Sequence, residues 1–236
     1  MANKGKSRHL KRLSMPKTYV VKRKGVTWIA KALPGKHSTE NGYPLVVLLR
    51  EVLKIVNDKQ ETKQLMKQKL IEVDGLVPKD LNTVVGLNDV IHLPAEKTYY
   101  RMSIVGGKLV AVQIKADEAK FKYCKIVGKT FLKKGKVQLN LHDGRNYIVA
   151  KGEDKFKLGD VLKLGFPKQK LEGVVKLEKG TKCYVAFGRN SGETGVLEEI
   201  IEHAGSKESD ARLKTQTGEI ITLKNYLFPI DDVFKI

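Results

Sequence analysis

The hydrophobic positions between residues 44 and 93 predict two helices followed by a small β unit. Apolar residues recur at helical spacing over residues 45–56, so one stripe of the first helix should face a core. The second helix should begin at Asp58, because Glu61 lies three residues later and completes a capping-box pattern. Beyond this helix, the Asp74-Gly75 pair predicts a tight turn between short strands.

The outer side of the second predicted helix carries a row of lysines. Lys59, Lys63 and Lys67 are spaced four residues apart, which places their ammonium groups along one face of a helix. Such a row is usually a solvated helix face, and the alternative is a contact with nucleic-acid phosphates. Nothing in this unit indicates a reaction.

From residue 99 onward the pattern changes to short strands separated by turn residues. A hairpin is predicted around Gly106-Gly107, and Asp143-Gly144 predicts a turn between two further strands. Short strands at regular spacing favour a small barrel. Its rim should carry Lys133, Lys134, Lys136 and Arg145. His142 beside Asp143 could also indicate acid–base chemistry, but the turn is the stronger interpretation.

The segment after about residue 171 predicts a second small barrel. Its strands alternate apolar and polar positions, and residues 188–195 contain three glycines. A phosphate-binding P-loop would need a Gly-Lys-Ser/Thr ending and a following helix, and the sequence has neither here. The glycines are therefore predicted to occupy turn positions with positive φ.

The net charge of +19 indicates a polyanionic partner, and it is distributed unevenly. Residues 1–42 contain eleven basic residues and one acidic residue, and residues 96–170 contain eighteen and seven. By contrast, residues 43–95 contain seven of each, and residues 171–236 contain nine and eleven. The last segment therefore cannot bind a polyanion by bulk charge.

The N-terminal segment reads as a basic arm. Residues 1–15 are small, polar and cationic, and we expect them to be a tail that becomes ordered on nucleic acid; the alternative is a solvated tail. The rest of the arm lacks clear periodicity and should be extended, with short structured pieces. Trp28 is the only tryptophan. It could stack on a base, but packing against the neighbouring domain is the favoured interpretation.

Several classes of protein are disfavoured. No apolar run is long enough to span a membrane, and the basic N-terminus has no apolar stretch behind it, so we expect a cytoplasmic protein. Cys124 and Cys183 lie far apart, which favours two buried thiols in a reducing compartment. Five scattered histidines do not form a zinc site, and no cofactor, metal or small-molecule substrate is expected.

A set of short motifs occurs in a specific order along the chain. The motifs are His9-Leu10-Lys11-Arg12-Leu13 with Pro16-Lys17, Pro34-Gly35-Lys36-His37, Val73-Asp74-Gly75 with Asp89-Val90-Ile91, His142-Asp143-Gly144-Arg145, Gly188-Arg189-Asn190-Ser191-Gly192 and Asn225-Tyr226-Leu227-Phe228-Pro229-Ile230. In this order they resemble the small-subunit ribosomal protein number four of the archaeal and eukaryotic type, over nearly the whole chain. Glu193 departs from the family, which often has a basic residue at that position.

The resemblance implies an α+β, mostly β, multi-domain protein. It would comprise a basic N-terminal arm (1–42), an alpha-L RNA-binding domain (43–95), a central β-barrel (96–170) and an SH3-like barrel with a KOW motif (171–236). Such a protein is a structural constituent of the small ribosomal subunit, without catalytic activity. It binds small-subunit ribosomal RNA, contacts neighbouring ribosomal proteins, and supports subunit assembly and translation.

The residues expected to contact RNA come from all four segments. They are Lys4, Lys6, Arg8, His9, Lys11, Arg12, Lys17, Lys36, His37, Lys59, Lys63, Lys67, Lys69, Lys133, Lys134, Lys136, Arg145, Arg189 and Asn190. One alternative function is a free RNA-binding translation or transcription factor. Another is an RNA-modifying enzyme with an alpha-L module, for which the small β segments leave little room.

Overall fold

The structure is a computed structural model that describes residues 9–150, 152, 154–216, 218–231 and 234, without the side chain of Lys134. Within these residues the chain is mostly β, with two helical segments and short 3-10 turns. The mostly-β class is therefore confirmed.

The N-terminal arm is folded against the body of the protein from residue 10 onward. β1 (Leu10–Lys11) pairs antiparallel with β2 (Trp28–Ile29), and a 3-10 turn follows β1. Met15 and Ile29 are buried in one hydrophobic cluster, the main core, which also contains Leu45, Ile91 and Tyr184. The expectation of a tail without core residues is therefore wrong for residues 10–15, and residues 1–8 lie outside the described part of the chain.

The first helical segment is apolar on nearly every side. β3 (Gly42–Pro44) leads into α1 (Leu45–Val47), which continues as a π-helical stretch, Leu48–Val52. A helix without a polar face has to be buried, and residues 45–49 are at most 4% exposed. The helix ends earlier than the predicted residue 56, because Lys54 adopts a positive φ of 55°.

The second helix begins as its capping pattern predicts. α2 (Lys59–Lys67) has Asp58 as its N-cap, and the reciprocal hydrogen bonds with Glu61 are both formed. The Asp58 carboxylate accepts from the Lys59 N–H at 2.6 Å, which satisfies a backbone donor that the helix leaves unpaired. Leu65 and Met66 are half-buried against the main core.

The first large sheet contains four strands. The strands that follow α2 are β4 (Glu72–Val73), β5 (Val84–Gly86), β6 (Val90–Leu93), β7 (Thr98–Val105) and β8 (Lys108–Ile114). The sheet order is β4-β6-β7-β8, while β5 pairs with β3. The predicted hairpin at Gly106-Gly107 is confirmed, but it belongs to this sheet. Because β6 pairs with β7, the sheet crosses the expected boundary at residues 95 and 96.

The second sheet is an antiparallel meander around one long strand. Its strands are β9 (Phe121–Phe131), β10 (Val137–Leu141), β11 (Asn146–Val149), β12 (Val161–Gly165) and β13 (Lys170–Val175). The order is β11-β10-β9-β12-β13, and β9 pairs with β12 through its first half and with β10 through its second. The Asp143-Gly144 turn between β10 and β11 is confirmed, with φ of 74° at Gly144.

The third sheet follows the predicted strand positions of the C-terminal segment. Its strands are β14 (Lys182–Val185), β15 (Thr194–Ile201), β16 (Asp210–Thr215), β17 (Gly218–Leu223) and β18 (Leu227–Pro229), in the order β17-β16-β15-β14-β18. Strand β14 is buried on both faces. Cys183 and Val185 pack inside this sheet, whereas Tyr184 packs in the main core. The third sheet is thereby fixed to the rest of the molecule.

The glycine-rich loop, residues 188–195, packs on the first sheet. Gly188 and Gly192 have positive φ, as predicted, and Gly195 lies instead in β15. The Gly107 N–H donates to the Ser191 carbonyl at 3.2 Å. A Cβ at Gly192 would lie 2.7 Å from the backbone nitrogen of Gly106, so only glycine permits this approach.

Candidate nucleic-acid interface

Three aspartates from three separate turns surround one buried lysine. Lys122 on β9 lies 3.1 Å from Asp74 and 2.9 Å from Asp143, and it also bonds Asp89. All four side chains are fully buried. Asp74 and Asp143 come from the two predicted Asp-Gly turns, and Asp89 precedes β6. The turns therefore hold carboxylates in place as well as reversing the chain.

Two further cations complete this buried network. The Arg145 guanidinium donates to Asp74 at 2.7 Å and lies 3.2 Å from Asp143, and the Lys36 ammonium lies 3.2 Å from Asp74. The three carboxylates thus face three cations. Because an unpaired buried charge costs several kcal/mol, this balance allows the charges to remain inside.

The network keeps Lys122, Asp89 and Asp143 ionised. Burial alone would lower the pKa of the Lys122 ammonium, but the three surrounding carboxylates outweigh it and hold the pKa well above its ordinary value. Burial alone would raise the pKa of Asp143, but Lys122 and other neighbours lower it to about 2. Lys122 and His37 likewise hold the pKa of Asp89 well below its ordinary value, against the effect of burial. Lys122, Asp89 and Asp143 are therefore charged at neutral pH.

Four residues that the sequence predicts to contact RNA form ion pairs or hydrogen bonds with carboxylates of the protein itself. Placing Arg145 on a barrel rim is wrong, because its side chain is 11% exposed and belongs to the buried network. His37 is buried and bonds Asp89 at 2.9 Å. Arg12 is buried and bonds Glu51 at 2.6 Å, and Lys36 is half-buried against Asp74. These side chains hold the arm and the turns in place through contacts within the protein.

The arm is held tightly at His37. A Cβ on Gly86 would lie 2.3 Å from the His37 ring, so the ring rests directly on the backbone of β5. The Gly86 N–H also donates to Asp89 at 2.9 Å. The arm, the first sheet and the second sheet therefore meet at this one network.

The lysine row on α2 is presented to solvent. Lys59, Lys63, Lys67 and the nearby Lys69 are all exposed. Within the described part of the chain, no carboxylate pairs with any of their ammonium groups. Like charges spaced four residues apart on a helix repel one another, so a polyanion on this face would relieve a cost that the free protein carries. This surface, the α2 lysine row, is the strongest match to a phosphate backbone.

The other expected contacts are scattered over the surface. Exposed side chains are His9, Lys11, Lys17, Lys133, Lys136 and Arg189, and Asn190 is half-buried. Lys4, Lys6, Arg8 and the side chain of Lys134 lie outside the described residues. Packing Trp28 against a neighbouring domain is wrong, because its side chain is 53% exposed.

His142 is a structural residue. Its Nδ1 accepts from the Lys125 N–H at 3.2 Å, and its Nε2 lies 3.3 Å from the Leu87 carbonyl, so both ring nitrogens are used. Burial lowers the pKa of His142 to about 3, which keeps the ring neutral. A neutral histidine with both nitrogens bonded to the backbone is not poised to move a proton. The turn interpretation therefore holds over acid–base chemistry.

Both cysteines lie in the interior. Cys124 and Cys183 are buried free thiols, as predicted, and burial raises the pKa of both. In the part of the chain that the structure covers, no group of His, Cys, Asp and Glu side chains could hold a metal ion. No helix among those residues is long and apolar enough to cross a membrane.

Sequence and structure comparisons agree on one group of proteins. The models of the ribosomal family S4e and of the RS4NT domain match residues 96–171 and 4–40, respectively. The chain is similar to the small ribosomal subunit protein eS4 of Methanosphaera stadtmanae, with 36% identity over 98% of the chain and 95% of the relative. For the eS4 protein of Methanocella arvoryzae, the identity is 38% over 94% and 93%.

A solved structure has a similar fold. The crystal structure of the 30S ribosomal protein S4e from Thermoplasma acidophilum matches with a TM-score of 0.69 and 28% sequence identity. The match covers 80% of this chain and 95% of the solved one. The likeness extends over most of both molecules and therefore includes more than a single module.

Proposed function

The chain belongs to the ribosomal family S4e, and from this premise we propose that it is a structural constituent of the small ribosomal subunit that binds ribosomal RNA. Its partners would be small-subunit ribosomal RNA and neighbouring ribosomal proteins, and its contribution would be to assembly and translation. The role is structural and not catalytic.

The observation that carries RNA binding is the α2 lysine row. Lys59, Lys63 and Lys67 present three exposed ammonium groups along one helix face. Phosphate groups would neutralise them and release condensed counterions, which is the main source of affinity for a nucleic-acid backbone. A row of parallel cations needs no particular base sequence, which suits a contact that positions an RNA helix.

The buried network supports this role mechanically. Lys122 links the second sheet to Asp74 and Asp89 in two turns beside the first sheet, and Lys36 links the arm to Asp74. The modules therefore form one body around a shared core. RNA contacts on the arm, on α2 and on the second sheet can then be held at fixed relative positions without an ordering cost for each module.

The finer module assignments are part of this proposal. Residues 43–95 would act as the alpha-L RNA-binding unit, and residues 171–236 as a KOW-type module with only local RNA contacts through Arg189 and Asn190. The balance of nine basic and eleven acidic residues in the last segment supports this division. So does the glycine-rich loop, which packs on the first sheet of the same chain.

Binding of the full chain to a small-subunit ribosomal RNA transcript tests the proposal. Affinity measured by filter binding should fall steeply as salt rises from about 50 to 300 mM, with a log–log slope of roughly −0.7 to −0.9 for each neutralised phosphate. A slope near zero would contradict phosphate binding. In addition, the protein should remain with small subunits through a salt wash, whereas release at low salt would favour a free RNA-binding factor.

A further inference from the structure

The β1–β2 ribbon has two faces of opposite character. Leu10 lies opposite Ile29, and Lys11 lies opposite Trp28. Directly paired residues share one side of an antiparallel ribbon, and successive residues alternate sides. Ile29 is 6% exposed and faces the core, whereas Trp28 is 53% exposed on the outer side. The ribbon therefore anchors itself by one face and presents an indole by the other.

A second ring lies beside the exposed indole. The centroid of the His9 ring is 5.6 Å from that of Trp28, and the two planes are inclined by 57°. Tryptophan has the largest surface of any side chain and is usually well covered. Here the indole sits on a short, anchored ribbon and is 53% exposed.

Several cations lie near the indole across the ribbon or along the chain. Lys11 lies directly across the ribbon, and Lys22 and Lys24 are exposed nearby in sequence. Glu40 is the first acidic residue of the chain. An exposed aromatic ring set among cations is the arrangement that single-stranded nucleic acid binds, with bases stacked on the ring and phosphates near the cations.

We propose that Trp28 is a stacking platform for an unpaired RNA base, with His9 beside the ring and Lys11 near the adjoining phosphate. This inference rests on the proposed RNA-binding function and adds a base contact to it. The exposed Leu13 and Val26 in the same arm are apolar, so a neighbouring ribosomal protein is the competing occupant. The nearby Lys11, Lys22 and Lys24 favour RNA.

Intrinsic fluorescence tests the platform directly, because Trp28 is the only tryptophan in the chain. Titration of the full chain with an unlabelled small-subunit ribosomal RNA transcript should quench the emission of Trp28 and protect it from acrylamide. Trp28→Ala should weaken RNA binding by roughly 5- to 150-fold, the range for loss of one base stack. Trp28→Phe should retain most of the affinity, and Val26→Ala serves as the control at a neighbouring exposed position.

The salt dependence separates stacking from charge. Because a stacked base releases no counterions, the log–log salt slope of Trp28→Ala should equal that of the wild type. If RNA binds at saturation while Trp28 emission and acrylamide access stay unchanged, the platform is wrong and the RNA-binding function stands. Protection of Trp28 in the assembled subunit but not by RNA alone would assign it to a protein neighbour and overturn the inference. Absence of RNA binding at low salt would contradict both the Trp28 platform and the proposed RNA-binding function.

Discussion

Lys122 and Lys63 are the same residue type in opposite environments. Lys122 is fully buried among three carboxylates, whereas Lys63 stands in an exposed row that has no carboxylate partner among the described residues. The buried network therefore pairs three cations with three carboxylates, whereas the α2 lysine row leaves its positive charge on the surface. Sequence position alone does not show which lysine does which task, since both lie in segments that resemble RNA-binding modules.

The two environments predict opposite responses to substitution. Removing one partner of a buried ion network leaves an uncompensated charge inside, which costs about 3–5 kcal/mol. Removing an exposed cation changes stability little, because the surrounding water screens it. The buried set should therefore govern folding, and the exposed set should govern RNA affinity.

The largest effect should come from Lys122→Met, which keeps the length of the side chain and removes the ammonium. Asp74, Asp89 and Asp143 would then face one another without their central cation. We expect the free energy of unfolding in urea to fall by about 3–5 kcal/mol. The matched control is Lys63→Met on α2, which should change it by less than about 0.5 kcal/mol.

If Lys122→Met does not fold, Arg145→Gln provides the same comparison in a milder form. Arg145 bonds two carboxylates of the network but leaves Lys122 in place. A measurable loss of stability, larger than that of Lys63→Met, is expected. Equal losses for the buried and exposed substitutions would show that the network is not a stabilising unit.

The second largest effect should be a loss of folding stability at acidic pH. His142 has a folded-state pKa of about 3, below the ordinary value of 6.5, so the unfolded chain binds the proton more readily between these values. Stability is therefore complete above about pH 6.5 and should fall by about 2–3 kcal/mol as the pH drops to 4. Asp143, with its pKa lowered to about 2, should add a further loss between about pH 4 and 2.

Urea unfolding at a series of pH values measures this dependence. His142→Gln removes the titrating group, so its stability should be nearly flat between pH 6.5 and 4. A wild-type stability that stays constant over this range would contradict the neutral, buried state of the ring.

A smaller effect on stability is expected for the exposed row. Replacing Lys59, Lys63 and Lys67 together by Ala removes like charges at i, i+4 spacing and raises helix propensity. We therefore expect stability to be unchanged or slightly higher, by up to about 1 kcal/mol in total. A loss of several kcal/mol in thermal or urea unfolding would mean that the row has a hidden structural role.

The smallest effect should come from the C-terminal loop. Arg189→Ala removes one exposed cation from a segment that carries no net positive charge. The magnitude of the log–log salt slope of RNA binding should therefore decrease by at most about 0.9. Lys133→Ala with Lys136→Ala, in the connection between β9 and β10, should decrease the magnitude of the slope by about 1.4–1.8. A larger change for Arg189 would show that local geometry outweighs the regional charge.

Local patterns in the sequence predicted much of the fold. The capping box at Asp58 and Glu61, the Asp-Gly turns and the Gly106-Gly107 hairpin all depend on residues within a few positions of one another, and the structure contains each of them. Propensity and turn chemistry act over that range. Strand β6 pairs with β7 across the expected boundary at residues 95 and 96, because strand pairing, not composition, decides where a sheet ends.

The buried network could not be predicted in the same way. Lys122 is 48 residues from Asp74 and 33 from Asp89, and Arg145 is 71 from Asp74. No spacing rule connects such positions, and each residue alone is typical of a surface. The Asp-Gly pairs were correctly identified as turns, but that their carboxylates point inward depends on the packing of two sheets. Arg145 and His37 were misplaced for this reason.

The central claim is that the buried network governs folding and the exposed lysine row governs RNA affinity. Its most direct test is the salt slope of RNA binding for two variants of the full chain, under conditions in which circular dichroism shows that both are folded. Lys59, Lys63 and Lys67 replaced together by Ala should reduce the slope by about 2–3 relative to the wild type. Arg145→Gln should leave it unchanged. The account would be contradicted if the magnitude of the slope decreased by about 1 in Arg145→Gln. It would also be contradicted if the variant without the three exposed lysines kept the wild-type slope.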